Sequence, residues 1–291
     1  MALDSMKEIF ERMAQQKKLF WEIVLADDME QREVTREASM AKMLGMWRAM
    51  QEASDSYTGQ RRSVSGLVGG DGLKMRQYML RGRALGNGYV GEVIAQALSM
   101  AESNACMCRI VAAPTAGACG VLPAVLLPLY QKEELTQQQV LEALYVAAGI
   151  GSVIASKASI AGAAGGCQAE VGAASAMAAG ALVALRGGEG VQIGHAVAMA
   201  LKNLMGLICD PVAGLVEIPC VKRNVIGAMN ALSAADMALA GIESRIPVDE
   251  VSDAMGEVGR RMPMEFRETA LGGLAATPTG RRIAKELHGT A

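Results

Sequence analysis

Three cysteines constrain this chain more than any other feature. Cys167, Cys209 and Cys220 are spaced C-x41-C-x10-C, and each lies beside Gly or Pro, the residues that end or restart helices. Cys167 follows Gly165-Gly166 and precedes an Ala/Met/Val/Leu run that ends at Gly187-Gly188. Cys209 comes just beyond a helical run from Gln192 to Leu207, two residues before Pro211, and Cys220 follows Pro219 and opens another long apolar stretch. The pattern predicts Cys167 and Cys220 at helix N-termini, where the partial positive charge favours thiolate, the metal-binding form. Three cysteines at element ends can converge on one centre. Three thiolates are one short of a closed tetrahedral zinc site or a fully ligated iron–sulfur cluster, so such a centre keeps one position open.

What surrounds them is a core without aromatics. Hydrophobic residues make up 51% of the chain and aromatic residues only 3%, so Ala, Val, Leu, Ile and Met must fill the interior. That composition predicts an all-α fold, a compact bundle of apolar, Ala-rich helices around a loop-borne site. At 291 residues the chain can bury most of its apolar surface. Charges concentrate in Met1–Asp55 and thin out over Ala105–Ala200. We therefore divide the chain into an N-terminal amphipathic helical layer, 1–58, and a main helical domain, 59–291. In the first, Met6, Ile9, Phe10 and Met13, then Phe20, Ile23 and Val24, recur at helical spacing. Such a stripe reads equally as a cover for the core and as a docking surface for a partner chain.

A formal charge of -2 and a pI near 5.9 give no basic surface for nucleic acid. Met1–Phe20 is studded with Asp4, Lys7, Glu8, Glu11, Arg12, Lys17 and Lys18, which is no secretory signal, and a cytoplasmic protein is expected. Six cysteines in a reducing compartment read as thiols, ligands or core fillers. The uncharged run Ile110–Gln131 is long enough to raise the membrane question, but Pro114, Pro123, Pro128 and two glycines interrupt it. A buried core helix is the better account, with no membrane.

Further signals flank the cysteines. Ser54–Asp71 is rich in Ser and Gly, and Gly66, Gly69, Gly70 and Gly72 allow several N–H groups to face one concavity, which suits an anion. Pro114-Thr115-Ala116-Gly117 reads as a helix start with free N–H groups. Lys157 is a lone cation in an apolar stretch. Lys222 and Arg223 fall in a first helical turn, where cations oppose the dipole and call for something anionic. Cys106, Cys108 and Cys119 read as small buried residues, His195 as a satisfied mid-helix histidine, and Thr277–Ala291, with His288, as a polar, basic, mobile tail.

Five segments taken together carry a resemblance. They are Ser63-Val64-Ser65-Gly66-Leu67-Val68-Gly69-Gly70-Asp71, Ala113-Pro114-Thr115-Ala116-Gly117-Ala118-Cys119-Gly120, Gly165-Gly166-Cys167-Gln168-Ala169-Glu170-Val171-Gly172, Gly206-Leu207-Ile208-Cys209-Asp210-Pro211-Val212-Ala213-Gly214 and Ile218-Pro219-Cys220-Val221-Lys222-Arg223-Asn224. In this order they resemble the alpha chain of iron–sulfur-dependent L-serine dehydratases, over nearly the whole length to about Met262. The resemblance implies a lyase that eliminates water from L-serine, with a four-iron, four-sulfur (4Fe-4S) cluster on Cys167, Cys209 and Cys220 as Lewis acid. It implies substrate contacts from Ser65, Gly66, Asp71, Thr115, Ala116 and Gly117, and a separate beta chain as partner. The base is left open, Lys157 and Glu170 being the ionisable residues nearest the first cysteine motif. Two other readings stand beside it: an L-cysteine desulfidase on a similar cluster, and a non-catalytic structural metal-binding subunit. A pyridoxal-phosphate enzyme is more distant, because the strand–helix alternation of those folds is missing.

Overall fold

The computed structural model describes residues 3–86, 88–133 and 135–289, and among them the chain forms thirteen α-helices and no strand. In order these are α1 (Met6–Gln16), α2 (Phe20–Arg32), α3 (Arg36–Asp55), α4 (Asp71–Leu80), α5 (Tyr89–Ala105), α6 (Val121–Glu133), α7 (Gln137–Lys157), the single turn α8 (Gly162–Gly165), α9 (Ala173–Leu185), α10 (Gly190–Leu204), α11 (Cys220–Leu239), α12 (Val248–Arg261) and α13 (Pro278–His288). The sequence marks many of the starts. Ser5, Thr35 and Thr277 accept hydrogen bonds from the backbone of Glu8, Ala38 and Gly280, and Thr136 and Gln139 form a reciprocal capping box at α7.

Helix α9 is the axis of the bundle. Every residue from Ala173 to Val183 is buried, and α7, α10 and α11 pack around it. An interior built on Ala must gain its dispersion energy from close approach, because each side chain offers few atoms. Gly180 shows how that approach is reached: a Cβ there would collide with Ile150 of α7 and lie 3.3 Å from the methyls of Ile193 and Val197 on α10. Around this centre α5 joins α4, α6 and α11, and α2 lies on α7. Met6, Ile9, Phe20 and Ile23 are each no more than 2% exposed, so the N-terminal stripe covers the core. The Asp249 carboxylate at the start of α12 accepts from the backbone of Met6 (3.0 Å) and Lys7 (2.9 Å), fixing the start of α1.

Three expectations are corrected. The run Ile110–Gln131 is not one helix, because residues 113–120 form turns and α6 begins only at Val121. The segments long and apolar enough to cross a membrane are instead Gln137–Lys157 and Gln168–Leu185, and 67% and 83% of their apolar windows are buried inside the fold. The stretch after Thr277 is no free tail: Pro278–His288 is helical, and His288 Nε2 lies 3.1 Å from the Ala213 carbonyl.

Candidate metal centre

Cys220 is the first residue of α11, and the turn before it draws distant segments together. Asn224, one helical turn on and 1% exposed, donates to the carbonyls of Gly117 (2.8 Å) and Cys220 (3.0 Å) and accepts from the Gly120 backbone (2.8 Å). The turn 113–120 is thereby bound to the helix that carries Cys220. Cys167 leads into a π-helical turn, Gln168–Gly172, that runs on into α9. Gln168 donates its backbone N–H to Leu207 (2.9 Å) and accepts from Gly206 N–H (2.9 Å), stitching Cys167 to the segment holding Cys209. Cys209 itself is gripped by main chain. It donates to Phe266 (2.8 Å) and accepts from Glu268 (2.9 Å), in a single parallel bridge with Arg267.

The three sulfurs are thus brought into one interior space, at 1%, 3% and 8% residue exposure for Cys167, Cys209 and Cys220. The Cys167 and Cys209 sulfurs lie beside each other and interact through their shared hydrogen bond. That hydrogen bond, aided by the Arg223 guanidinium and opposed by burial, holds the Cys167 thiol below its ordinary range. The same bond, with burial and the neighbouring negative charge, pushes Cys209 up. Burial, then the charge of Cys167, pushes Cys220 up to about 12. Among the described residues, no group of three or more His, Cys, Asp or Glu is arranged around a single metal ion. Three of the donors that meet here are sulfur, which suits soft metals and iron–sulfur clusters.

Carboxylates face the same space. Gly162 has no side chain, and a Cβ there would lie 3.2 Å from Cys209 Sγ, 3.2 Å from Glu268 Oε2 and 3.6 Å from Glu170 Oε2. Glu170 accepts from the Thr115 hydroxyl and the Gly117 backbone. Burial raises its carboxyl above the ordinary range against the pull of the Thr115 hydrogen bond. Gly117 leaves room for it, since a Cβ would fall 2.7 Å from Glu170 Oε1. Thr115 therefore serves Glu170 and does not open a helix. Ala116 offers its carbonyl to Asn104 (3.0 Å).

The glycine loop lies nearby, but several of its donors are already engaged, within the loop or by Glu102 of α5. The Gly66 N–H bonds Ser63, those of Leu67 and Val68 bond the Ser65 and Ser63 hydroxyls, and the Asp71 and Gly72 N–H groups are taken by the buried Glu102. Ser63 and Ser65 both donate to Glu217, itself 6% exposed. Asp71 meets Lys222 at 2.6 Å and Lys74 at 2.9 Å. Arg223, buried, pairs with Asp210 at 2.7 Å, so both cations of the first turn of α11 find carboxylates.

Other candidates are engaged elsewhere, except Cys119, which lies close enough to Glu170 for that charge to add to burial in raising its thiol. Lys157 lies 3.5 Å from Asp253 and 3.9 Å from Asp249 of α12. Cys119 is wholly buried against the Met100 carbonyl, and Cys108 accepts from Arg61 (3.1 Å) beside Cys106. His195 accepts from Ser244 N–H (3.2 Å). A cavity of about 1170 Å³ between α1, α10 and the start of α12, lined by Phe10, Met13, Val191 and Ile246, contains none of the site residues. Sequence reasoning missed Glu217 and Glu268, which sit on irregular backbone with no periodic signal. The Asp210 partner was foreshadowed by the dipole argument alone.

The family described as "Serine dehydratase alpha chain" matches residues 15–275. A Bacillus subtilis (strain 168) protein named "Probable L-serine dehydratase, alpha chain" is 47% identical over 287 residues, 99% of this chain and 96% of the relative. The "L-serine dehydratase, alpha chain" of Peptoniphilus asaccharolyticus is 39% identical over 285 residues, 98% of both. In Escherichia coli (strain K12), "L-serine dehydratase 2" is 46% identical over 182 residues, which are 62% of this chain and 40% of that longer protein.

Proposed function

The chain belongs to the serine dehydratase alpha-chain family, and on that premise we propose that it removes water from L-serine to give pyruvate and ammonia. We assign Cys167, Cys209 and Cys220 as ligands of a four-iron, four-sulfur cluster. The gathering of three buried cysteines, with Glu170 and Glu268 beside Cys209 at Gly162, is the observation that carries this reading. When bound, such a cluster supplies a Lewis acid for the substrate's oxygens, which matters because hydroxide is a poor leaving group.

The protein's own residues supply the rest. Glu170 is the proposed base: burial raises its proton affinity toward the working pH, and Thr115 and Gly117 fix the carboxylate from behind. Glu170 takes the α-proton as the 3-hydroxyl departs, and the resulting aminoacrylate tautomerises and is hydrolysed. Glu268 offers a second carboxylate for the substrate ammonium. Lys157, occupied by two carboxylates of α12, is not assigned to the reaction. The loop 63–71 shapes one wall through Ser65, Gly66 and Asp71, and Ala116 and Gly117 shape another. The names of the relatives support a beta chain as partner, and we place the enzyme in the cytoplasm.

The test is anaerobic purification with iron, acid-labile sulfide and pyruvate assays, on the wild type and on Cys167→Ala, Cys209→Ala and Cys220→Ala. About four irons and four sulfides per wild-type chain, lost in each variant together with serine turnover, are expected. Zinc without sulfide, or turnover indifferent to the three substitutions, would overturn the assignment.

A further inference from the structure

Arg223 is a buried cation in an unfavourable place. It stands in the first turn of α11, where the helix dipole opposes positive charge, with its side chain only 10% exposed. Its guanidinium donates to the Ile208 carbonyl (2.9 Å) and to Asp210 Oδ1 (2.7 Å), and its charge bears on Cys167. Asp210, 3% exposed at its side chain, uses its second oxygen to accept from Leu274 N–H (2.7 Å). One planar group thus serves two acceptors, which stand on either side of Cys209. A lysine ammonium cannot reproduce that fork.

A plain structural pair explains this poorly. Burying an ion pair returns little net stability, because both ions lose their hydration, and an apolar pair of similar volume does as well or better. The second bond, to the Ile208 carbonyl, is the part such a pair would not need, because it clamps the backbone just before Cys209. A group bound to three thiolates in a dry interior would bring negative charge, and Arg223 places a cation beside Cys167.

We infer that Arg223 is a positioning residue for the metal centre, clamping the 208–210 stretch that carries Cys209 and setting a cation beside Cys167, with Asp210 holding the guanidinium in register. The inference rests on the metal-centre reading above. Partners one shell behind metal ligands change metal affinity by about 10- to 100-fold when removed. Arg223→Gln is therefore expected to release iron to a chelator at least about tenfold faster than wild type, under anaerobic conditions in the full chain. Arg223→Lys, which keeps the charge and loses the fork, is expected between the two. Circular dichroism and the melting temperature of each apo chain are read alongside, and Arg223→Lys carries the test if Arg223→Gln does not fold.

Release rates within twofold of wild type in the folded variants would overturn the inference, and so would a lowered melting temperature with unchanged release. The cluster reading is judged separately, by what the wild type holds. If that is zinc without sulfide, the cluster assignment fails and the same release ratio, measured with zinc, still decides the role of Arg223. A wild type that binds neither metal overturns both.

Discussion

Lys222, on the first turn of α11, reaches Asp71, the first residue of α4, with 2.6 Å between Nζ and Oδ2. The contact ties the glycine loop to the helix that carries Cys220. It also holds the Asp71 carboxyl below its ordinary range, first through the Lys222 hydrogen bond, with Lys74 adding to it. A depressed carboxyl contributes stability above its unfolded value, about 3.9, and loses it as the pH falls through the lower folded value. Asp71→Asn should therefore cost stability at pH 7 by an amount that shrinks below about pH 4. Urea unfolding of both chains across that range checks it. A difference independent of pH would mean that the ion pair contributes nothing, as is common for exposed pairs.

Glu170→Gln keeps the Thr115 contact and removes the base. The expected result is a fall in kcat of about 10²- to 10⁴-fold with KM little changed, the signature of a group acting in the transition state. Lys157→Ala should leave kcat within about twofold. Steady-state kinetics with L-serine on both variants separates the two candidates, and the reverse pattern would move the base to Lys157.

Asn224→Ala strips the partners from the Gly120 N–H and the Gly117 carbonyl, both in a dry setting. Each buried orphan costs roughly 1–3 kcal/mol, so a loss of about 2 to 6 kcal/mol is expected in denaturant unfolding of the apo chain. A loss under about 0.5 kcal/mol would show that the 113–120 turn re-pairs elsewhere.

Gly162→Ala tests the crowding at the centre. The added methyl would stand 3.2 Å from both Cys209 Sγ and Glu268 Oε2, so these must shift by a few tenths of an ångström. The melting temperature should change little, while kcat/KM falls on the order of tenfold, because small misplacements of reacting groups are costly. Unchanged kcat/KM would show that Gly162 is not at the reacting space.

The sequence exposed the parts of this arrangement that follow local rules. Ala-rich apolar runs foretold the helices, and Gly and Pro foretold that Cys167 and Cys220 open helical segments, whereas Cys209 lies five residues beyond the end of α10, in an isolated bridge. Asp71 and Lys222 were both visible, but as separate signals, because nothing local says that residues 151 apart will pair. Thr115 was misread as a helix start for the same reason. Pro-Thr does favour one, yet the carbonyl and N–H groups that would build it are engaged by Asn224, from a helix over a hundred residues away. Glu268 gave no signal, for its place depends on a two-residue bridge to Cys209 and not on any repeat.

That bridge also sets an order of assembly. Synthesis runs from the N-terminus, so all three cysteines exist once residue 220 has been made. The main chain that grips Cys209, at Phe266 and Glu268, and the Leu274 amide that fastens Asp210 come some fifty residues later. A nascent chain therefore lacks the ties that fix Cys209 and Asp210 for that interval. On the cluster reading proposed above, loading belongs after translation, once the last segment has closed.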